Sequence, residues 1–289
     1  MAEKMSTTKV RTITAVVGTA ILVPMMIIRS PIPFTLFMCF IAGLSAFEIL
    51  RCASLKKWQY ILILVPFAAI LPALTLGAFE DDTRYLAFFA LVSMAVAFVV
   101  LSISVFDVRK TDVRSTASAF AMILYITLGV ANFLLMRAKT GLPCIVIFPF
   151  AIAWGGDTFA YFGGRLFGHR KLCPDVSPKK TVAGLLCAPL GSLFFAEACA
   201  LVIKLIYQEQ VQINFVALGL LSIVLSFVGA MGDLIASLYK RAYDVKDYGR
   251  LLPGHGGAMD RLDSILPVAL IMYFAMYILP SVQFIALMK

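Results

Sequence analysis

The chain has 289 residues, 61% hydrophobic and 14% charged, with a mean hydropathy of +0.94. Soluble domains are about 45–50% apolar and about 25% charged, so a soluble globular protein is excluded, and so is a disordered chain, which would be poorer still in apolar residues. The formal charge of +9 would suggest nucleic acid on a soluble chain; on one this apolar it reads as topology-setting charge, with a remainder for anionic substrates and no nucleic-acid partner.

A bilayer-spanning helix takes about 20 apolar residues. Stretches of that kind lie at 12–28, 32–50, 59–78, 85–106, 116–136, 142–163, 182–206, 213–238 and 264–287. They predict an all-α, polytopic membrane protein with about nine transmembrane helices. Barrel strands would be shorter and alternate in polarity. The first stretch comes after Lys4, Lys9 and Arg11 and looks like a signal peptide, but it lacks a small-x-small cleavage site and is read as a retained helix. Glu48 lies in the second stretch with Arg51 as its expected partner, and Glu197 in the seventh; Glu48 and Glu197 are read as structural. Proline interrupts several stretches, at Pro24, Pro66, Pro72, Pro149, Pro189 and Pro267, which membrane helices tolerate. The six cysteines show no CxxC spacing, so neither a zinc site nor a redox motif is indicated.

Counting Lys and Arg on alternate sides of these helices gives 19 against 6. The rich side is expected to be cytoplasmic, with the N-terminus inside, the C-terminus outside and the acidic cluster Glu80-Asp81-Asp82 outside. Residues 1–140 are expected as an N-terminal transmembrane region. Residues 141–289 are expected as a catalytic transmembrane region with two cytoplasmic motif loops, 164–181 and 239–263.

Those two loops hold both histidines, His169 and His255, and carboxylates flank them. In the second, Asp233, Ser237 and Lys240 are spaced to share one helix face, and Asp260 and Asp263 stand three apart. Hard oxygen ligands suit Mg²⁺. Gly254, Gly256 and Gly257 let backbone N–H groups approach phosphate, and Lys240, Lys246 and Arg261 add positive charge. Carboxylates, glycines and cations together indicate metal-assisted phosphoryl or nucleotidyl transfer. In the first loop Asp157, Tyr161 and Arg165 share a face, and Ser177-Pro178-Lys179-Lys180-Thr181 precedes a helix start, where an anion is favoured. No carboxylate stands beside Lys179 and Lys180, which suits static binding of an anion. A basic, Ser/Thr-capped loop is also what topology alone would produce, so the first loop by itself leaves both readings open.

The ordered string Ser237, Lys240-Arg241, Lys246-Asp247, Pro253-Gly254-His255-Gly256-Gly257 and Asp260-Arg261-Leu262-Asp263 resembles the signature of the phosphatidate cytidylyltransferase family, the CDP-diacylglycerol synthases. The run from Asp157 through Arg165 to Ser177-Pro178-Lys179-Lys180-Thr181 resembles that family's preceding region. Ala183 stands where family members usually carry an acid. The resemblance implies transfer of CMP from CTP to phosphatidate with Mg²⁺, and room for a second cation. It implies a metal centre at Asp233 and Asp260 with Asp263 close by, and a catalytic role for Lys240. Substrate contacts would come from Asp157, Lys179, Lys180, Thr181, Ser237, Arg241, Lys246, Asp247, His255, Gly256, Gly257 and Arg261. The implied partners are CTP, phosphatidate and membrane lipid, and a homodimer is compatible with it. The expected location is a bacterial inner membrane. Two rivals are a CTP-dependent lipid kinase and an anion transporter; in a transporter the charges would gather at the midplane rather than at one face.

Overall fold

A computed structural model of the chain describes residues 7–75, 82–106, 112–249, 256–278 and 284–287. The apolar stretches form helices, because a backbone in lipid must satisfy its own hydrogen bonds. In order they are α1 (Thr7–Ile27), α2 (Pro31–Cys52), α3 (Lys57–Thr75), α4 (Asp82–Phe106), α5 (Val113–Thr140), α6 (Ile147–Phe167), α7 (Val182–Tyr207), α8 (Phe215–Ala242), the short α9 (Met259–Leu262) and α10 (Ile265–Ile278). Among the described residues six helices are long and apolar enough to cross a membrane, and three shorter apolar ones cover Val16–Ile27, Lys57–Leu71 and Ile265–Tyr277. Leu91, Met94 and Phe98 on α4, Leu190 and Phe194 on α7, and Val216 and Leu220 on α8 are each more than half exposed. Apolar surface on that scale is out of place in water and is solvated by acyl chains. The chain is an integral membrane protein of helical class.

Three details depart from the sequence-based expectation. The stretch 264–287 is not one helix: α10 ends at Ile278, and β4 (Ile285–Leu287) pairs antiparallel with β3 (Val211–Ile213), Val211 opposite Leu287. A short apolar run rich in β-branched residues reads alike as helix end or strand. The first motif loop is shorter than expected, since α6 continues to Phe167 and leads into a hairpin of β1 (Lys171–Cys173) and β2 (Ser177–Thr181). The second is shortened likewise by α8, which runs to Ala242. Glu80 and Asp81 lie outside the described residues.

The chain divides into two compact units, residues 1–134 with 243–261 and residues 135–242 with 262–289. In the first, the Phe67 ring of α3 meets Phe89 of α4 and Phe120 of α5 at centroid distances of 6.1 and 5.9 Å. A buried hydrogen bond from Gln59 Nε2 to Thr116 Oγ1, 2.9 Å, adds to this. In the second, α6 and α7 pack along a seam of small residues. A Cβ at Gly191 would run into the Gly155 carbonyl, and one at Gly163 into Cys187. Ser192 Oγ donates across the seam to the Ile152 carbonyl at 2.7 Å. Small residues serve this purpose in membranes, where backbones must approach closely to gain dispersion contacts.

Candidate active site

In the second unit α6 presents Asp157, Tyr161 and Arg165 at four-residue intervals, one face of the helix. The hairpin after α6 sets Lys171 opposite Thr181. Thr181 ends the hairpin and starts α7: its backbone is extended, and its Oγ1 accepts the Gly184 N–H at 3.1 Å, a standard helix N-cap. Asp233 arrives from α8. These elements enclose a cavity of about 550 Å³ whose lining includes Asp157, Arg165, Lys171, Lys179, Lys180 and Asp233. Four cations against two carboxylates give it a net positive lining.

Lys180 and Asp233 meet inside it. Lys180 Nζ lies 2.7 Å from Asp233 Oδ2 and donates to the Ala230 carbonyl at 3.1 Å. Sequence spacing offered Lys180 no carboxylate neighbour; the fold supplies one from α8, about fifty residues away. Ser237 Oγ reaches Asp233 Oδ1 at 3.4 Å, as their four-residue spacing predicts. Lys240, one turn further along α8, is buried. Arg241 Nε donates to the Val176 carbonyl at 3.3 Å and ties the end of α8 to the hairpin.

Asp263 comes directly after α9 and is only 8% exposed. Its Oδ1 accepts the Ser264 N–H at 2.8 Å. Burial pushes its carboxyl well above the usual range, and the charge of Asp233 adds to this; Lys240 and the Ser264 N–H pull the other way, and Asp157 raises it further. Ser264 Oγ also reaches Asp157 Oδ2, at 3.4 Å.

In the first unit the described signature residues are Lys246, Asp247, Gly256, Gly257, Asp260 and Arg261. Asp260 Oδ2 accepts two backbone N–H groups, from Tyr248 and Gly257, each at 2.9 Å. Gly256 has φ +87°, a conformation that favours glycine. Lys246, Asp247 and Arg261 are exposed. His255, with Pro253 and Gly254, lies outside the described residues. The expected metal carboxylates are thus divided, Asp233 and Asp263 in the second unit and Asp260 in the first. Among the described residues no three His, Cys, Asp or Glu side chains are grouped as a metal cage.

Two features escaped the sequence reading. Lys171 counted there as topogenic charge, yet its pairing opposite Thr181 brings it to the cavity. Glu48 and Arg51, expected as each other's partner, both reach the signature segment. Glu48 Oε1 and Oε2 accept the N–H groups of Ala258 and Met259 at 3.1 and 3.0 Å, and Arg51 Nη2 donates to the Tyr248 carbonyl at 3.0 Å. The available signal was an acid in an apolar run, which as a rule needs a partner.

Residues 9–279 match the model of the cytidylyltransferase family. Among similar proteins, a phosphatidate cytidylyltransferase of Staphylococcus epidermidis is 33% identical over 261 residues, covering 89% of this chain and 95% of that one. One of Bacillus subtilis is 33% identical over 274 residues, covering 92% and 96%. One of Staphylococcus saprophyticus is 34% identical over 263 residues, covering 89% and 95%.

Proposed function

The chain belongs to the cytidylyltransferase family, and from that premise we propose that it transfers CMP from CTP to phosphatidate, giving CDP-diacylglycerol and pyrophosphate. The observation that carries this is the cavity of the second unit, where Arg165, Lys171, Lys179 and Lys180 surround Asp157 and Asp233 among membrane helices. An oxygen of the lipid phosphate attacks the α-phosphorus of CTP, the bond from that phosphorus to the bridging oxygen breaks, and pyrophosphate departs. A phosphomonoester has a second pKa near about 6, so the nucleophile is already largely dianionic and needs no strong base. What remains is to bring anions together and stabilise a leaving group, a matter of positioning and electrostatics. Arg165, Lys171 and Lys179 hold phosphate groups, Lys180 is shared between phosphate and Asp233, and Asp157 orients the cations of its face. Arg241, Lys246, Arg261 and the Gly256–Gly257 backbone serve the substrates as the signature implies.

The donor set fits Mg²⁺. That ion is commonly held by one or two carboxylates plus substrate phosphates, without an all-protein cage. The charge of Asp233 works against ionisation of the buried Asp263, a repulsion that a cation would relieve. Asp233 and Asp263 would hold it. Bound there, it would neutralise charge on the phosphates.

The same reading has nine crossings, the six long helices and the three shorter ones, with both motif segments in the cytoplasm of a bacterial inner membrane. It is supported by the 19-to-6 charge count and by strand pairing. β3 and β4 are hydrogen-bonded, so they lie on one side, which requires an even number of crossings between them; α8 and α10 supply two. Single cysteines at Lys246 and Glu209, both exposed, in an otherwise cysteine-free protein should label from opposite sides, Glu209 from outside. Labelling of Lys246 by an impermeant reagent in intact cells would reverse the orientation.

The activity is tested with purified protein, phosphatidate, Mg²⁺ and CTP labelled at the α-phosphate. Label should enter the lipid with release of pyrophosphate. Label appearing in free CDP would mean a kinase, and no turnover would remove the proposal.

A further inference from the structure

Glu48 belongs to α2, about two hundred residues before the signature segment, yet both its carboxylate oxygens bond to that segment. Its side chain is 6% exposed. Each carboxylate oxygen takes one N–H, and the two donors are consecutive, Ala258 and Met259. Two oxygens on two successive N–H groups fix both position and register, because a one-residue slip would orphan a buried donor. The backbone closes in around it: a Cβ on Gly249 or on Gly257 would run into the Glu48 carboxylate. The next turn of α2 adds Arg51, whose guanidinium holds the Tyr248 carbonyl. Tyr248 donates its own N–H to Asp260, and Gly257 does the same. Glu48 and Arg51 therefore grip the two backbone stretches that Asp260 links to each other.

We propose that Glu48, assisted by Arg51, is a positioning residue for the reaction: it holds residues 248–249 and 256–260 so that Asp260 and the Gly256–Gly257 backbone meet the substrates in a fixed geometry. This rests on the cytidylyltransferase reading for what the segment does, and on the hydrogen bonds for how it is held. Glu48 touches no reacting atom; it acts through backbone that carries Asp260. Leaving a buried N–H without its acceptor is costly, and losing a group that orients a ligand typically costs about 10- to 100-fold.

The test uses full-length protein in detergent, with Glu48→Gln, Glu48→Asp and Arg51→Met. The amide of Gln keeps one acceptor and turns an NH₂ group toward the second N–H, so kcat should fall about 10- to 100-fold, with KM for CTP and for phosphatidate little changed. Hydrogen exchange should rise in the peptide 256–262 and stay unchanged in peptides from α6, α7 and α8. Glu48→Asp, which retains two acceptors, should recover part of both the rate and the protection. Arg51→Met should give a smaller loss of the same pattern, and it provides the measurement if Glu48→Gln fails to fold. A wild-type kcat in Glu48→Gln, or a loss of protection spread evenly over the protein, overturns the proposal. Failure of the wild type to form CDP-diacylglycerol would overturn the activity itself, and the exchange pattern would still decide whether Glu48 holds the segment.

Discussion

Replacing Lys180 with Met keeps most of the aliphatic stem and removes the charge that faces Asp233. The two side chains are 23% and 28% exposed, so the pair lies between two known limits. Exposed ion pairs are worth about 0–1 kcal/mol, and breaking a fully buried one costs about 3–5 kcal/mol. A contact of about 1.5–3 kcal/mol is reasonable for a charge-assisted bond, which is roughly 10- to 150-fold in an equilibrium constant. Lys180 competes with a metal ion for the Asp233 carboxylate, so its removal should lower the Mg²⁺ concentration for half-maximal rate by about that factor. It also deletes a cation from the phosphate cavity, so kcat/KM for CTP should fall at saturating Mg²⁺. Steady-state rates over a Mg²⁺ titration, at several CTP concentrations, measure both. Lys179→Met is the control: Lys179 is exposed on the cavity wall, and its loss should raise KM without moving the Mg²⁺ requirement. An unchanged Mg²⁺ requirement in Lys180→Met would refute the argument and leave Lys180 as a phosphate contact alone.

Asp233→Asn and Asp260→Asn preserve shape and should each abolish turnover while leaving expression intact; near-normal rates at limiting Mg²⁺ would remove Asp233 from the metal site or Asp260 from the reaction. Asp263→Asn should lose activity without losing stability. Because the folded protein holds the Asp263 proton more tightly than the unfolded chain, with its ordinary value of 3.8, wild-type stability falls as pH rises from about 4 toward the raised folded value. The variant should lack that slope, so melting curves in chelator between about pH 4 and 8 should diverge; parallel curves would show that Asp263 is not strained by ionisation. Gly191→Ala pushes a methyl group into the Gly155 carbonyl, and overpacking of this kind costs about 1–3 kcal/mol. Its melting temperature should drop by several degrees, and an unchanged one would mean that α6 and α7 separate easily.

The helical class and most helix limits were legible because each apolar run is long and has polar ends. α5 and α8 extend past their hydropathy limits because their last turns carry Arg137 and Lys139, and Lys240 and Arg241, which end an apolar window without ending a helix. The strands were not legible, since β3 and β4 have three residues each and find one another only through tertiary pairing. Local spacing placed Asp233 beside Ser237 and put Asp157 on the face of Arg165. It could not place Lys180 against Asp233, nor Glu48 against Ala258, because those meetings depend on helices that are remote in sequence. Arg51, three residues from Glu48, does face its charge as expected, but the hydrogen bonds of the carboxylate go to two N–H groups that need an acceptor.

The separation between Glu48 and its donors, 210 residues to Ala258 and 211 to Met259, also has a consequence in time. At about 5–20 residues per second, a ribosome needs roughly 10–40 s to deliver Ala258 after Glu48. During that interval α2 enters the bilayer with an acid that has no backbone donor yet. Such a residue costs about 2.5–3.5 kcal/mol at mid-membrane and less near a helix end, where Glu48 sits. The nascent protein therefore carries an unsettled α2 until its last helices are made.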